Sequence, residues 1–328
     1  MTVLGLDTSN YTTSAALFKD VSGEKKCCAN IKIMLPVAMG ERGLRQSDAV
    51  FAHTKNMPEV LDRLKEFIAG EHIDAVGYSY APRDVEGSYM PCFLVGKSVA
   101  HAISAVTGAA IYPFSHQAGH ISAALYSAGR ADLMETPSEF AAFHVSGGTT
   151  DILTVKSEPH DDIPLKITRI GGTLDINAGQ LIDRVGVMMG LRFPCGAELE
   201  ALAGAYEGKR DKMKLTLDGL FASISGAENK ARELYQKTGD APRTAAFTIG
   251  VVSDMLTMMT RSLMELFPKY PIIYAGGVVS CGIIKNRLSN MGDVYFAKPE
   301  FSSDNAVGVS QLAYYAYMRD NAKGAMSD

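Results

Sequence analysis

The chain opens with an apolar run that ends in a carboxylate, Thr2-Val3-Leu4-Gly5-Leu6-Asp7, followed by the polar tip Thr8-Ser9-Asn10-Tyr11-Thr12. It then returns in a second apolar run, Thr13-Ser14-Ala15-Ala16-Leu17-Phe18. Two short apolar runs separated by turn-forming residues predict a β-hairpin. A tip rich in hydroxyls and backbone N–H groups can bind a phosphate or a metal-bound oxygen, although an ordinary hairpin has the same sequence pattern.

The same layout recurs in the middle of the chain. Phe140-Ala141-Ala142-Phe143-His144-Val145 leads through Ser146-Gly147-Gly148-Thr149-Thr150-Asp151 into Ile152-Leu153-Thr154-Val155. The two glycines let the backbone come close to a ligand. Two such hairpins, one opening each half, predict a duplicated fold with two lobes around a cleft.

Strand and helix patterns alternate along the rest of the chain, which predicts an α/β fold with crossover helices. We expect one lobe over 1–112 and a second over 113–328, with a C-terminal helix at about 304–322 returning to the first lobe. The apolar periodicity predicts strands over 28–34, 74–80, 109–112, 167–170, 271–275 and 294–296, and helices over 47–68, 92–107, 177–189, 198–205 and 241–267.

Composition narrows the class of protein. The chain has 328 residues and a net charge of −4, which argues against a protein that coats nucleic acid. Its five cysteines show no CxxC spacing, as expected for reduced thiols in a cytoplasmic protein. We see no signal peptide and no apolar run long enough for a membrane span, so we expect a cytoplasmic protein without a membrane partner.

Two histidines four residues apart, His116 and His120, follow Ser115, which is a candidate helix N-cap. On a helix, residues at this spacing share a face, so both imidazoles could bind one metal ion. The spacing also arises by chance, and a catalytic site needs a third ligand. Asp304 could supply it, or could simply cap the C-terminal helix.

Other residues carry weaker signals. Asp151 could bind a metal or water, or could bond its own turn. Gly276 and Gly277 end a strand, where a nucleotide base or sugar can pack on bare backbone. We expect His53 to be a surface or interface residue and the segment Lys209–Lys214 to be a solvated basic run. Three cations are candidates for contacting nucleic acid, though a solvated surface is their simpler interpretation: Arg42, Arg45 and Lys55.

Together, the motifs resemble the TsaD family, formerly called O-sialoglycoprotein endopeptidase or glycoprotease, within the actin/Hsp70-like (ASKHA) superfamily. The resemblance implies a duplicated α/β fold of two lobes, with mixed sheets flanked by helices and a central nucleotide and metal cleft. It rests on the following stretches: Leu6-Asp7-Thr8-Ser9 with Thr13-Ser14, His116-Gln117-Ala118-Gly119-His120, Val145-Ser146-Gly147-Gly148, Gly172-Thr173-Leu174-Asp175 through Asp183 to Pro194-Cys195-Gly196, Ala275-Gly276-Gly277-Val278, and Ser303-Asp304-Asn305-Ala306.

The resemblance also implies an activity: transfer of a threonylcarbamoyl group from threonylcarbamoyl-adenylate to N6 of adenosine 37 in tRNA. By the same resemblance, His116, His120 and Asp304 are the metal ligands. Candidate catalytic residues are Asp7, Ser9 and Thr12. Candidates for binding substrate or nucleotide are His144, Val145, Ser146, Gly147, Gly148, Thr149, Asp183, Gly196, Glu200, Gly276, Gly277 and Cys281.

Within this set, the backbone N–H groups of Ser146 to Thr149 are expected to hold the adenylate phosphate. Asp183, Gly196 and Glu200 are expected near the ribose or carbamoyl group. The match at Glu200 is looser, because the family usually has an aspartate or a similar polar residue there.

The chain departs from the family pattern near the reacting centre. Tyr11 and Thr12 replace two acidic residues, Thr149 replaces a histidine, and Cys281 replaces an asparagine that contacts nucleotide. A loop resembling Gly-Pro-Gly has become Ala81-Pro82-Arg83-Asp84. These changes suit a divergent paralogue at least as well as the housekeeping enzyme.

The family also implies the cofactors and partners. We expect one divalent ion, iron or zinc with magnesium as a third option, and an adenine nucleotide: threonylcarbamoyl-AMP, AMP or ATP. Expected partners are tRNA and proteins of the TsaB and TsaE types, in a homodimer or heterodimer. One alternative function is a nucleotide-binding regulator, or a transferase with another acceptor. A metalloprotease is the weakest alternative, because Gln117, Ala118 and Gly119 leave no glutamate between the histidines.

Overall fold

The computed structural model describes residues 1–9, 11–36, 44–302 and 306–325, and the chain divides into two compact units. Unit 1 comprises the described residues within 1–138, 156–167 and 303–328. Unit 2 comprises 139–155 and 168–302.

Unit 1 contains a mixed five-stranded sheet and its helices. The strands are β1 (Thr2–Asp7), β2 (Thr12–Val21), β3 (Glu24–Met34), β4 (Ala75–Ala81) and β5 (Ala110–Ser115). The helices are α1 (Gln46–Ile68), α2 (Phe93–Thr107), α3 (His116–Ser127), α4 (Asp132–Glu135) and, from the end of the chain, α11 (Val307–Ala325). The strand order is β3-β2-β1-β4-β5, with β1 antiparallel to β2 and parallel to β4.

The central strand β1 is buried along its whole length, which explains its continuous apolar run. Met57 and Leu64 of α1 belong to the core on one side of the sheet. Helix α11 packs directly on the sheet at Gly5 and Gly77. A Cβ at these positions would lie 2.4 Å from the Ala306 carbonyl oxygen and 2.3 Å from that of Val309. Glycine in both strands therefore permits this close contact.

Unit 2 contains a seven-stranded sheet and the remaining helices. The strands are β6 (Ser138–Val145), β7 (Thr150–Ser157), β8 (Leu165–Thr173), β9 (Leu217–Asp218), β10 (Phe221–Ala222), β11 (Ile272–Ala275) and β12 (Val294–Phe296). The helices are α5 (Ala178–Met188), α6 (Gly196–Gly204), α7 (Ser225–Thr238), α8 (Ala241–Leu266), α9 (Gly282–Leu288) and α10 (Pro299–Ser302), with a 3₁₀ turn at Gly277–Ser280.

The two sheets repeat one topology. The order in unit 2 is β12-β11-β6-β7-β8-β10-β9, and β11 runs parallel to both β6 and β12. Omitting the short β9 and β10, the order β8-β7-β6-β11-β12 matches β3-β2-β1-β4-β5 in unit 1. The predicted duplicated α/β fold is therefore confirmed.

A layer of aromatic rings anchors the core of unit 2. Tyr274 of β11 stacks between Phe143 of β6 and Phe296 of β12, with ring centroids 4.8 and 5.0 Å away. Its hydroxyl lies 2.5 Å from the Thr260 hydroxyl of α8, so the buried phenol has a partner. The helix predicted over 241–267 is α8, and it buries Phe247, Val251, Met255 and Leu263.

Two expectations differ from the structure. The boundary after residue 112 assigned the histidine helix to the second lobe, but α3 lies in unit 1. The reason is that α3 follows β5 directly and packs against α11, where Ser122 donates a hydrogen bond of 2.8 Å to Gln311. His53 was expected at a surface or interface, but it is fully buried, with Nδ1 2.9 Å from the Thr13 hydroxyl.

Among the described residues, no helix is both long enough and apolar enough to cross a bilayer.

Candidate functional site

The two predicted histidine ligands converge in unit 1. Ser115 caps α3 by accepting the Ala118 N–H at 3.2 Å, so the helix starts at His116. His116 Nε2 and His120 Nε2 lie 2.9 Å apart, and His120 is buried. Both imidazoles therefore present the same ring nitrogen to one point.

Asp7, at the end of β1, contacts the other nitrogen of His116. Its Oδ2 lies 3.2 Å from His116 Nδ1, and its carboxylate is fully buried. Ser9 donates to both Asp7 oxygens, through its N–H at 3.2 Å and its hydroxyl at 2.9 Å. A carboxylate at Nδ1 keeps the proton there and leaves the Nε2 lone pair for a ligand.

A third ligand is not placed by the structure. Asp304 lies outside the described residues, and among residues 1–9, 11–36, 44–302 and 306–325 no three acidic, histidine or cysteine side chains form a group that could hold a metal ion. Ala306, two residues after Asp304 in the chain, packs against Gly5 of β1. The start of α11 lies against α3 as well, because a Cβ on Gly308 would overlap the Gly119 carbonyl oxygen.

The altered loop 81–84 supports the start of α3. Asp84 accepts hydrogen bonds from the Ser115 hydroxyl at 2.5 Å and the Tyr80 hydroxyl at 3.0 Å. Burial, together with the Asp84 carboxylate, raises the pKa of Tyr80 to about 12, so the phenol stays a donor at neutral pH. Sequence reasoning missed Asp84 as a support, although the departure from a glycine-rich loop marked the segment.

The remaining catalytic candidates sit near the tip of the first hairpin. Thr12 is buried at the start of β2 and donates its N–H to the Ser9 carbonyl at 3.2 Å. Tyr11 is 41% exposed, so it occupies a surface position where the family has an acid. Asp7, Ser9 and Thr12 therefore form one buried polar cluster beside His116.

In unit 2, the predicted phosphate loop is a tight turn. Ser146 donates its N–H to the Thr149 carbonyl at 2.7 Å, and Thr149 donates its N–H to the Ser146 hydroxyl at 3.1 Å. Two of the four N–H groups that were expected to hold phosphate are therefore engaged within the turn, and their role toward a phosphate stays a prediction. Gly147 and Gly148 are exposed, and their N–H groups donate in none of the hydrogen bonds found among the described residues.

The amino-terminal end of α5 lies against this turn. Gly179 donates its N–H to the Ser146 carbonyl at 3.2 Å, and Ala178 donates to the Thr150 hydroxyl at 2.8 Å. A helix N-terminus carries partial positive charge and favours an anion nearby. The strand β6 brings His144 and buried Val145 to the start of the same turn.

Asp183 connects α5 to the next loop. Its Oδ1 accepts the Cys195 N–H at 2.8 Å, and burial raises the pKa of its carboxyl. A Cβ on Gly147 would lie 4.0 Å from Asp183 Oδ2, so this oxygen faces the turn. Gly196, which starts α6, has open space where a side chain would project.

Glu200 and Cys281 meet at the start of α9. Glu200 Oε1 accepts the Gly282 N–H at 2.7 Å. Burial is the main cause that raises the pKa of the Cys281 thiol, and its hydrogen bond to Glu200 adds to the effect. Glu200 therefore stabilises the start of α9, a role that the sequence did not indicate.

The backbone preceding α9 turns sharply at Gly276. Its φ of 102° and ψ of 157° lie in a region essentially restricted to glycine. A Cβ there would lie 2.2 Å from the Val145 carbonyl oxygen of β6, whereas Gly277 has no atom within 4 Å of its Cβ position. The open backbone at Gly277 agrees with a surface on which a base or sugar could pack.

Two aspartates have structural partners. Asp151 forms an ion pair with Arg169, in which its Oδ1 lies 2.5 Å from Arg169 Nε. Asp175 accepts the N–H groups of Ile176, Ile224 and Ser225 at 2.7, 3.0 and 2.8 Å, and so fixes the start of α7.

Comparison with known proteins shows which family the chain belongs to. The family model described as tRNA N6-adenosine threonylcarbamoyltransferase (TsaD) matches residues 40–310. A protein of that name from Streptococcus suis is 28% identical over 340 aligned residues, covering 98% of this chain and 94% of that protein. A Fusobacterium nucleatum protein of the same name is 27% identical, covering 96% and 91%.

Solved structures support the fold alone. HypF from T. kodakarensis superposes with a TM-score of 0.58 at 10% identity, over 98% of this chain and 48% of that one. Full-length HypF in a phosphate- and nucleotide-bound form gives a TM-score of 0.57 at 11% identity, over 97% of this chain and 55% of that one. The chain thus spans about half of each HypF protein.

Proposed function

Because the chain belongs to the tRNA N6-adenosine threonylcarbamoyltransferase (TsaD) family, we propose that it transfers a threonylcarbamoyl group from threonylcarbamoyl-adenylate to N6 of adenosine 37 in tRNA. The observation that carries this proposal is the convergence of His116 and His120 Nε2, 2.9 Å apart. Proteins of the TsaB and TsaE types are the partners that the family suggests.

The residues present fit one divalent metal ion. Two imidazole nitrogens point to one place, and Asp7 holds the proton of His116 on the opposite nitrogen. Imidazole donors suit iron and zinc better than magnesium. We assign His116, His120 and Asp304 as the ligands, and a bound ion would act as a Lewis acid on the carbamoyl carbonyl or a phosphate oxygen.

The chain's own residues in unit 2 would bind the adenylate. The exposed N–H groups of Gly147 and Gly148, beside the amino end of α5, would hold the phosphate. The bare backbone at Gly277 offers a surface for the base or sugar. Asp183 and Glu200 would act mainly by fixing Cys195 and Gly282, since each already accepts one of those N–H groups.

A transfer assay tests the proposal directly. Purified protein, threonylcarbamoyl-adenylate and unmodified tRNA with adenosine 37 would be incubated with and without the two partner proteins. We expect threonylcarbamoyl-adenosine at position 37 by nucleoside mass spectrometry, and none on the same tRNA carrying guanosine there. Absence of product despite measured adenylate binding would contradict the transfer.

A second candidate function is a nucleotide-binding regulator, or a transferase with another acceptor. The observation that favours it is the polar tip, where exposed Tyr11 and buried Thr12 stand in place of two acids. Adenylate binding without tRNA product would support this candidate. Small-molecule amines would then be tried as acceptors, with carbamoylated product as the readout.

Replacing Asp7 with asparagine is expected to lower metal affinity by about 10- to 100-fold. With one side-chain oxygen accepting the Ser9 N–H, the asparagine N–H₂ would face His116 Nδ1. The amide would donate to Nδ1, move the ring proton to Nε2 and block the nitrogen that binds metal. Affinity would be measured by competition between protein and a chelator for zinc.

The control for this variant is Asp74→Asn. Asp74 Oδ2 also accepts a backbone N–H of β1, from Thr2 at 2.7 Å, but is not involved in the histidine pair. Equal loss of zinc affinity in both variants would show that the effect of Asp7→Asn is structural and not local to His116.

A further inference from the structure

A second candidate binding site lies entirely within unit 2. A cavity of about 230 Å³ opens between α6, α8, α9 and the segment that follows α6. The residues that matter here are Ala203, Tyr206, Arg210, Ile249, Ser253 and Arg287. Liquid water occupies about 30 Å³ per molecule, so the cavity has room for a small organic molecule.

Arg210 was expected to belong to a solvated basic run, but its guanidinium packs on α8. Its Nη2 donates to Asp254 at 2.8 Å, and it lies where a Cβ on Gly250 would otherwise project. Arg287 donates to the other Asp254 oxygen at 2.5 Å. Two guanidinium groups therefore share one carboxylate, which leaves one net positive charge beside the cavity.

Two buried polar atoms on residues that line the cavity have no hydrogen-bond partner among the described residues. They are Nη1 of Arg210 and the hydroxyl of Ser253, a side chain that is only 2% exposed. Buried donors without partners are costly, so such groups usually bind a ligand or ordered water. These two hydrogen-bond donors and the net positive charge of the Arg210, Arg287 and Asp254 group favour a ligand that accepts hydrogen bonds and carries negative charge.

We infer that this cavity binds a small organic carboxylate. One net positive charge is neutralised by a monoanion, whereas a phosphate dianion would leave excess negative charge beside Asp254. Guanidinium donors match the geometry of a carboxylate. The apolar part of the cavity wall, from Ala203 and Ile249, suits a short hydrocarbon or aromatic body.

The site is distinct from the proposed nucleotide residues. Glu200 and Cys281 lie on or beside the same helices, α6 and α9, but neither lines the cavity. The inference therefore stands or falls separately from the proposed transfer activity.

Isothermal titration calorimetry on the full chain tests the inference, with sodium benzoate as the probe and sodium phosphate at matched ionic strength as the comparison. We expect saturable benzoate binding. Arg287→Gln should weaken it about tenfold or more, because a charged hydrogen-bond donor is lost. Ser253→Ala should weaken it severalfold while the protein keeps its circular dichroism spectrum.

The matched control is Ser157→Ala, which removes another buried hydroxyl without a partner, outside this cavity. It should leave benzoate affinity unchanged. Three results would overturn the inference: no saturable benzoate heat, phosphate binding more tightly than benzoate, or displacement of benzoate by AMP. The last would make the cavity part of the nucleotide site.

Discussion

His116→Ala is expected to reduce threonylcarbamoyl transfer by more than about 100-fold, since loss of a direct ligand should exceed the 10- to 100-fold cost of losing a supporting residue. The substitution removes one of two nitrogens that lie 2.9 Å apart and also leaves Asp7 buried without its imidazole partner. Both bound metal and product formation should therefore fall together. Metal content would be measured by mass spectrometry on dialysed protein, and product by nucleoside analysis of the tRNA.

The control is His72→Ala, because His72 is an exposed histidine of the same unit. It should retain both metal and activity. Full transfer by His116→Ala with no bound metal would contradict the assigned role of the histidine pair, while leaving the transferase function intact.

Gly276→Ala is expected to destabilise unit 2 by about 3 kcal/mol or more. The backbone there has φ 102° and ψ 157°, and the new Cβ would lie 2.2 Å from the Val145 carbonyl oxygen. That oxygen belongs to the buried strand β6, which cannot move without disturbing the stacked rings beside it. The shift would be measured as a lower midpoint in urea unfolding followed by circular dichroism.

Gly277→Ala is the matched control for stability. It adds the same methyl group one residue later, where no atom lies within 4 Å. We expect an unfolding midpoint close to that of the parent protein, but weaker binding of AMP if a base or sugar packs on this backbone. Equal destabilisation by both substitutions would contradict the argument from Gly276.

Local patterns were enough to predict ten of the twelve strands, all but the short β9 and β10, together with the main helices and the duplication. The two hairpins share one layout, and residues at helical spacing such as His116 and His120 reveal their common face. The contact between Asp7 and His116 could not be predicted in this way, because it joins the end of β1 to the start of α3, more than 100 residues later in the chain. The hydrogen bond from the Ser115 hydroxyl to Asp84 also joins residues far apart in sequence and could not be predicted either.

Polar groups in turns and loops were the least predictable. The turn after β6 contains four backbone N–H groups, but only its folded geometry shows that Ser146 and Thr149 use theirs internally. From its basic segment, Lys209–Lys214, Arg210 was predicted to be a solvated cation. Its burial depends on Gly250, a helical residue 40 positions away whose missing side chain makes room for the guanidinium.

The packing of α11 on β1 and β4 constrains how the protein is made. During translation, β1 to β5 leave the ribosome before the whole of unit 2. The face of their sheet that contains Gly5 and Gly77 stays uncovered until α11, near the end of the chain, has been synthesised. Residues 168–302 are continuous in unit 2, whereas unit 1 needs its late helix. The nascent first sheet is therefore expected to need chaperone protection, and the histidine pair of α3 to reach its final surroundings last.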